Sequence, residues 1–152
     1  MKLLLQIALK LRRSYWWLVR PVTRGLRAIV VNADGRVLFV RHRYGEGWTL
    51  PGGRVRENES DENALRRELK EEVGISGISE VRKLGEYLNT YEYKKDTIIV
   101  FVVRRFSIEP KRHFEIETSR FFVPSALPED TSPGTRRRIE EWLEHKQINN
   151  QW

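Results

Sequence analysis

The chain contains no cysteine in its 152 residues. Disulfides, thiolate nucleophiles and cysteine-ligated zinc or iron are therefore excluded. A cysteine-free chain suits a reducing compartment, and the expected location is cytoplasmic. Long apolar runs are also missing, since none approaches the roughly 20 residues that span a bilayer. The opening MKLLLQIALKLRR holds only a short apolar stretch, interrupted by Gln6 and Lys10. No small-residue cleavage site follows it before Tyr15, Trp16 and Trp17, so a cleaved signal peptide is not expected. Internal repeats, low-complexity tracts and linker-like segments are absent too. Hydrophobic residues make up 39% and charged residues 32%, which places the chain outside the low-hydrophobicity range of disordered proteins. The length corresponds to one domain with a sizeable core.

Acidic residues are scarce in the first third. Residues 1–45 hold ten Lys/Arg and one acid, Asp34, a net of +9, while the remainder carries −2. A basic section of this kind can meet phosphates, RNA or an anionic membrane, or form an ordinary solvated surface. Residues 3–13 fit a short amphipathic helix, with Leu4, Ile7 and Leu11 on one face, Leu3 beside them, and Lys2, Lys10, Arg12 and Arg13 mostly off it. Pro21 ends this segment. Residues 1–20 thus form an amphipathic extension. It either touches a membrane or a partner, or packs on its own domain or on a second copy in a homodimer. Residues 21–152 form the main domain.

Within that domain, residues 26–32 (LRAIVVN) and 37–41 (VLFVR) read as strands, and Asp34-Gly35 between them is a hairpin signal. The segment HRYGEGW, residues 42–48, is a glycine-bearing loop, and Leu50-Pro51-Gly52-Gly53 breaks regular structure. A helix is predicted from near Ser60 to Val73. Asn58 or Ser60 can cap it, Asp61 and Glu62 suit its first turn, and Gly74 lies just past its end. Leu65, Leu69 and Val73 give it an apolar stripe. Residues 81–90 and 97–106 read as further strands joined through Lys94-Lys95-Asp96, and residues 121–123 as a shorter one. Ser132-Pro133 opens a last helix with Ile139, Trp142 and Leu143 on its apolar face. Separated helices among mixed strands indicate an α+β domain, layered as α/β/α with a mixed sheet.

One feature of the middle helix runs against simple stability. Glu68, Glu71 and Glu72 stand at i, i+3 and i+4, where like charges cost a few tenths of a kcal/mol each. A hard cation reverses that cost, because carboxylate oxygens are the ligands that Mg²⁺ and Mn²⁺ prefer. Around these residues, Gly53, Glu59, Arg67, Glu68, Glu71, Glu72 and Gly74 occupy the seven fixed positions of G-x5-E-x7-R-E-U-x-E-E-x-G-U, and Leu69 and Ile75 fill both bulky apolar positions U. Seven identities at fixed spacing arise by chance on the order of 10⁻⁸ per start position. On these residues the chain resembles the Nudix hydrolases, the MutT-like superfamily. Residues 1–20 lie outside the resemblance.

The resemblance implies a Mg²⁺-dependent (or Mn²⁺-dependent) hydrolase that cleaves a pyrophosphate bond in a nucleoside diphosphate linked to another moiety. It implies Glu71 and Glu72 as principal metal ligands, and Glu68 as a ligand or the general base. A Gly52 carbonyl can add a ligand, with Glu59 as a metal-supporting acid. Arg67 can pair with Glu71 and orient the carboxylates. Glu115, in Phe114-Glu115-Ile116, resembles the further loop acid that relatives use, although the second acid of that segment is replaced by Thr118. Arg27, Arg41, Arg43 and Tyr44 lie where relatives meet substrate phosphates and bases. Trp48 can stack on a base or pack in the core. Tyr91 and Tyr93 fall where diadenosine-polyphosphate hydrolases carry a tyrosine, but they also read as a hairpin end. The alternative from another class is a Nudix-fold module that binds nucleotide or RNA without turnover.

Overall fold

The central strands are apolar on both sides, which forces a layer on each face. The computed structural model describes residues 22–91, 94–109, 111, 113–145 and 150–152. The amphipathic segment expected near the start, and Tyr93, lie outside the described residues. In chain order the elements are β1 (Val22–Val30), β2 (Val37–His42), β3 (Trp48–Thr49), α1 (Asp61–Val73), β4 (Ile75–Ser76), β5 (Glu80–Tyr91), β6 (Lys94–Arg104), β7 (Ser107–Ile108), β8 (Ile116–Phe122) and α2 (Pro133–Glu144). One sheet is mixed, ordered β1-β6-β5, with β1 parallel to β6 and β5 antiparallel to it. A second, antiparallel sheet runs β3-β2-β8, and β4 pairs with β7.

Alternation along each strand divides the core in two. Leu26, Ala28 and Val30 of β1, Leu38 and Val40 of β2, and Ile99, Phe101 and Val103 of β6 face Leu65, Leu69 and Val73 of α1. Their neighbours Ile29, Val37, Phe39, Val100 and Val102 face Ile139 and Trp142 of α2, together with Trp48, Leu50 and Tyr87. This is the expected α/β/α sandwich. Among the described residues, no helix is long and apolar enough to cross a membrane.

The Asp34-Gly35 turn forms as expected. Gly35 takes φ 75°, and its N–H donates to the Asn32 carbonyl at 3.0 Å. The hairpin, however, closes on a single bridge, Val31 with Val37. Beyond it the strands part, β1 joining β6 and β2 joining β8. Turn residues set the reversal, but burial on both faces selects the ladder partner. The second hairpin also differs. Lys94, Lys95 and Asp96 are the first residues of β6 rather than its turn, and the hydroxyl of Thr23 on β1 donates to the Asp96 carboxylate.

Ser60 caps α1, its Oγ accepting from the Asn63 N–H at 3.2 Å, while Asn58 sits upstream at φ 60°. Arg24 grips the Asp61 carboxylate at 2.8 and 2.6 Å and so ties the first turn of α1 to β1. Gly74 ends the helix at φ 71°, as expected.

On α2, Ile139 and Trp142 are buried but Leu143 is exposed, and Arg138 and Glu141 take buried positions instead. The Arg138 guanidinium stacks 3.8 Å over the Tyr87 ring and donates to the Gln151 carbonyl at 3.0 Å. The Tyr87 hydroxyl donates to Glu141 Oε1 at 2.7 Å. A buried carboxylate is costly once its donor is removed. Tyr87→Phe should therefore lower folding stability by about 1–3 kcal/mol, read from the urea midpoint. An unchanged midpoint would contradict this role for the hydroxyl.

Candidate active site

The loop before α1 lies along the free edge of β1. Leu26 N–H donates to the Gly53 carbonyl at 2.8 Å, Ala28 N–H to the Pro51 carbonyl at 2.9 Å, and Val55 N–H to the Arg24 carbonyl at 3.0 Å. Pro51 and Gly53 therefore spend their carbonyls on β1. Alternation in an extended run turns the intervening Gly52 the other way. Its N–H donates to Glu72 Oε2 at 2.8 Å. Gly52 is required by space, and Gly53 leaves room for the Glu68 carboxylate. A Cβ on Gly52, at φ 144°, would lie 2.3 Å from the Leu26 carbonyl oxygen, and one on Gly53 would lie 2.4 Å from the Glu68 carboxyl carbon.

The three glutamates of α1 are not equivalent. Glu72 is 6% exposed, whereas the Glu68 side chain is 15% and the Glu71 side chain 47% exposed. Glu72 is the residue that turns furthest toward the core. Desolvation pushes its pKa up to about 7, against the Gly52 N–H and the Arg27 charge, with Glu68 and Glu115 raising it further. Arg27 on β1 is half-buried beside Glu72 and Glu68. Desolvation lowers its own pKa while both carboxylates oppose that.

Arg67 holds this face from the side. Its Nε and Nη2 clamp the two oxygens of Glu59, each at 2.8 Å, and Nη2 also donates to the Arg54 carbonyl at 2.9 Å. Nη1 donates to Glu68 Oε1 at 2.6 Å and reaches Glu71 Oε2 at 3.4 Å. Glu71, the partner expected from i+4 spacing, is thus the weakest contact. The fork hydrogen bonds from Arg67, with the Arg56 N–H, lower the Glu59 pKa to about 2. Glu59 therefore stands as an ionised anchor for Arg67, tying the loop to the helix.

The remaining candidates separate. Glu115 is exposed, yet its charge acts on both Glu72 and His42. Its carbonyl accepts from the Arg43 N–H at 2.8 Å. Arg43 lines a cleft of about 460 Å³ with Glu72, Lys111, His113 and the start of β8. Tyr44 projects into solvent next to it. Arg41 turns away, pairing with Asp130 and lying 4.9 Å over the Trp48 ring. Trp48 is a core residue, edge-on to Phe122 at 4.9 Å between ring centres, so its ring face is not open to a base. Sequence reasoning passed over Lys111 and His113; the only signal was a basic run just before Phe114.

The donor set consists of oxygens only: Glu68, Glu71, Glu72 and the Gly52 carbonyl. Among the described residues, no three Asp, Glu or His side chains are already gathered into a cage. A buried carboxylate flanked by other carboxylates is short of positive charge, and an all-oxygen set with room for water suits a hard divalent cation. The residues fit such an ion.

The fold is that of solved MutT-type proteins. It resembles a MutT NUDIX hydrolase from Burkholderia pseudomallei, with a TM-score of 0.71, 28% identity, and coverage of 79% of this chain and 97% of that one. The MutT protein from Methanosarcina mazei Go1 shares the fold, with a TM-score of 0.72, 23% identity, and coverage of 84% and 98%. The NUDIX domain model matches residues 21–143, and the chain belongs to that family. Among proteins named RNA pyrophosphohydrolase, that of Hydrogenovibrio crunogenus is 43% identical over 72 residues, which is 46% of this chain and 43% of the relative. That of Halorhodospira halophila is 44% identical over 66 residues, 43% of this chain and 36% of the relative. The matched stretches span less than half the length of these relatives.

The raised Glu72 pKa carries a stability consequence. In metal-free protein, the native state keeps the proton up to about pH 7, whereas the unfolded chain releases it near the ordinary 4.5. Stability contributed by this site therefore falls as pH rises from 4.5 to 7, by about 3 kcal/mol in all. Urea titrations of the metal-free wild type against Glu72→Gln should show this loss only in the wild type. Parallel pH profiles would refute it.

Proposed function

We propose that the chain is a Mg²⁺-dependent hydrolase, with Mn²⁺ as an alternative ion, that cleaves a pyrophosphate bond in a nucleoside diphosphate linked to another moiety. A 5′-polyphosphorylated RNA end is the leading substrate, because relatives that match part of this chain are named RNA pyrophosphohydrolases. The observation that carries the reading is Glu72, a buried carboxylate held by Gly52 N–H and crowded by Glu68 and Glu115. A bound divalent cation would offset the repulsion among these carboxylates.

Glu71, Glu72, Glu68 and the Gly52 carbonyl would hold the ion. When bound, it neutralises phosphate oxygens and lowers the pKa of water, the chemistry that phosphoryl transfer needs. The chain supplies the rest. Arg67 occupies Glu68 Oε1, so Oε2 remains to serve as a ligand or to accept the proton of the attacking water. Glu115 is the second candidate for that proton. The Arg67–Glu59 fork keeps loop and helix in register, so neither residue needs to touch the substrate. Arg27 and Arg43 border the carboxylates and would meet phosphate oxygens. Within this reading, residues 21–152 form the catalytic domain in a cytoplasmic protein. Residues 1–20 would pack on this domain or on a second copy, or touch a membrane surface.

Purified protein with Mg²⁺ should release pyrophosphate or phosphate from a panel of 5′-triphosphorylated RNA and nucleoside diphosphate derivatives. Glu71→Gln and Glu72→Gln should each lower kcat by orders of magnitude. Full activity in either variant would sink the assignment. Tight nucleotide binding without turnover over hours would make the chain a binding module instead.

A further inference from the structure

The sheet order β1-β6-β5 places β5 at an edge, and an edge strand is a template for further pairing. Residues 150–152 take that position as a strap. Leu88 N–H donates to the Asn150 carbonyl at 2.7 Å, and Trp152 N–H donates to the Leu88 carbonyl at 2.9 Å, which makes a parallel bridge between Leu88 and Gln151. The other wall of the seat is α2. Arg138 Nη1 donates to the Gln151 carbonyl at 3.0 Å, and Arg137 Nη2 donates to the Trp152 carbonyl. The Trp152 indole lies edge-on to Tyr87, 6.5 Å between ring centres. It also fills the space beside Gly134 in the first turn of α2, where a Cβ would come within 2.5 Å of the indole Nε1. Three residues thus occupy a seat built from β5 backbone, two guanidinium groups and a notch that a glycine keeps open.

The link to this strap is short and strained. Four residues, 146–149, separate it from His145. His145 ends α2 at φ 54° and ψ 29°, in the left-handed region that is costly for a residue with a Cβ. A short hinge under strain favours exchange of the segment beyond it. Two copies that exchange an identical element regain every docking contact, while the hinge relaxes. Leu88 at the seat and Leu143, two residues before His145, are both exposed apolar side chains next to the route of exchange. We propose that the outer edge of β5 and the Gly134 notch form a docking groove whose occupant in trans is residues 150–152 of a second copy, exchanged reciprocally in a dimer. The groove belongs to the core layer of α2, whereas the carboxylates sit on α1 across the sheet. The exchange therefore stands apart from the hydrolase reading.

The test is the mass of the full chain by sedimentation and light scattering over a concentration series. Docking within one chain competes at an effective concentration of about millimolar, so the wild-type dimer should grow as protein approaches that range. Trp152→Ala removes the anchor and Gly134→Ala blocks the notch, so each variant alone should stay monomeric at every concentration. An equimolar mixture of the two should form a heterodimer, because an intact strap in one meets an open seat in the other. His145→Gly touches neither strap nor seat. It should favour docking within one chain and lower the wild-type association constant about tenfold or more. That variant keeps the test decisive if either of the others fails to fold by circular dichroism. Monomers only in the wild type or in the mixture, a dimer that survives Trp152→Ala, or an association unchanged by His145→Gly overturns the exchange.

Discussion

A single hydrogen bond, from the Gly52 N–H to the buried Glu72 carboxylate, fixes the geometry on which the site depends. It joins a loop to a helix, and Gly52 fits there because a Cβ would strike the Leu26 carbonyl oxygen of β1. The loop reaches that position because its flanking carbonyls are spent on β1, and β1 is held in turn by its parallel ladder with β6. Burying a carboxylate there is unfavourable in isolation. The fold accepts it because two core layers, one on each face of the strands, supply far more apolar burial than one charge removes.

The same economy of position applies to Arg67. Five guanidinium N–H groups in a rigid fork can satisfy several acceptors at once, and here they reach Glu59, Glu68, Glu71 and the Arg54 carbonyl. One arginine of α1 thus offsets part of the charge that the helix concentrates at this edge. Glu72 lies outside that fork; the positive charge that opposes its raised pKa is Arg27 from β1. Two of the carboxylates are compensated locally and one is not. That asymmetry sets Glu72 apart from its two neighbours on α1.

Much of this was legible in the residues themselves. The helix from 61 to 73, its serine cap, its glycine stop and its apolar stripe follow from local rules that act within a few positions, and the structure bears them out. The hairpin at Asp34-Gly35 was half legible. Its turn depends on two residues, whereas the partners of β1 and β2 depend on which strands elsewhere can bury both faces. Leu143 was misplaced because an apolar residue beside Trp142 looks like core, while Arg138 buries itself through Tyr87, Glu141 and the Gln151 carbonyl, contacts that no local pattern announces.

The sequence by itself determined the family, the layered fold and the carboxylates on one helix, because spacing along a helix is a local property. Tertiary structure alone decided which of those carboxylates is buried, that Glu59 serves Arg67, and that Trp48 belongs to the core. It also decided that Arg43, after β2, donates to the Phe114 and Glu115 carbonyls ahead of β8. Each of these turns on desolvation and on contacts between residues far apart in the chain, and neither can be read from spacing.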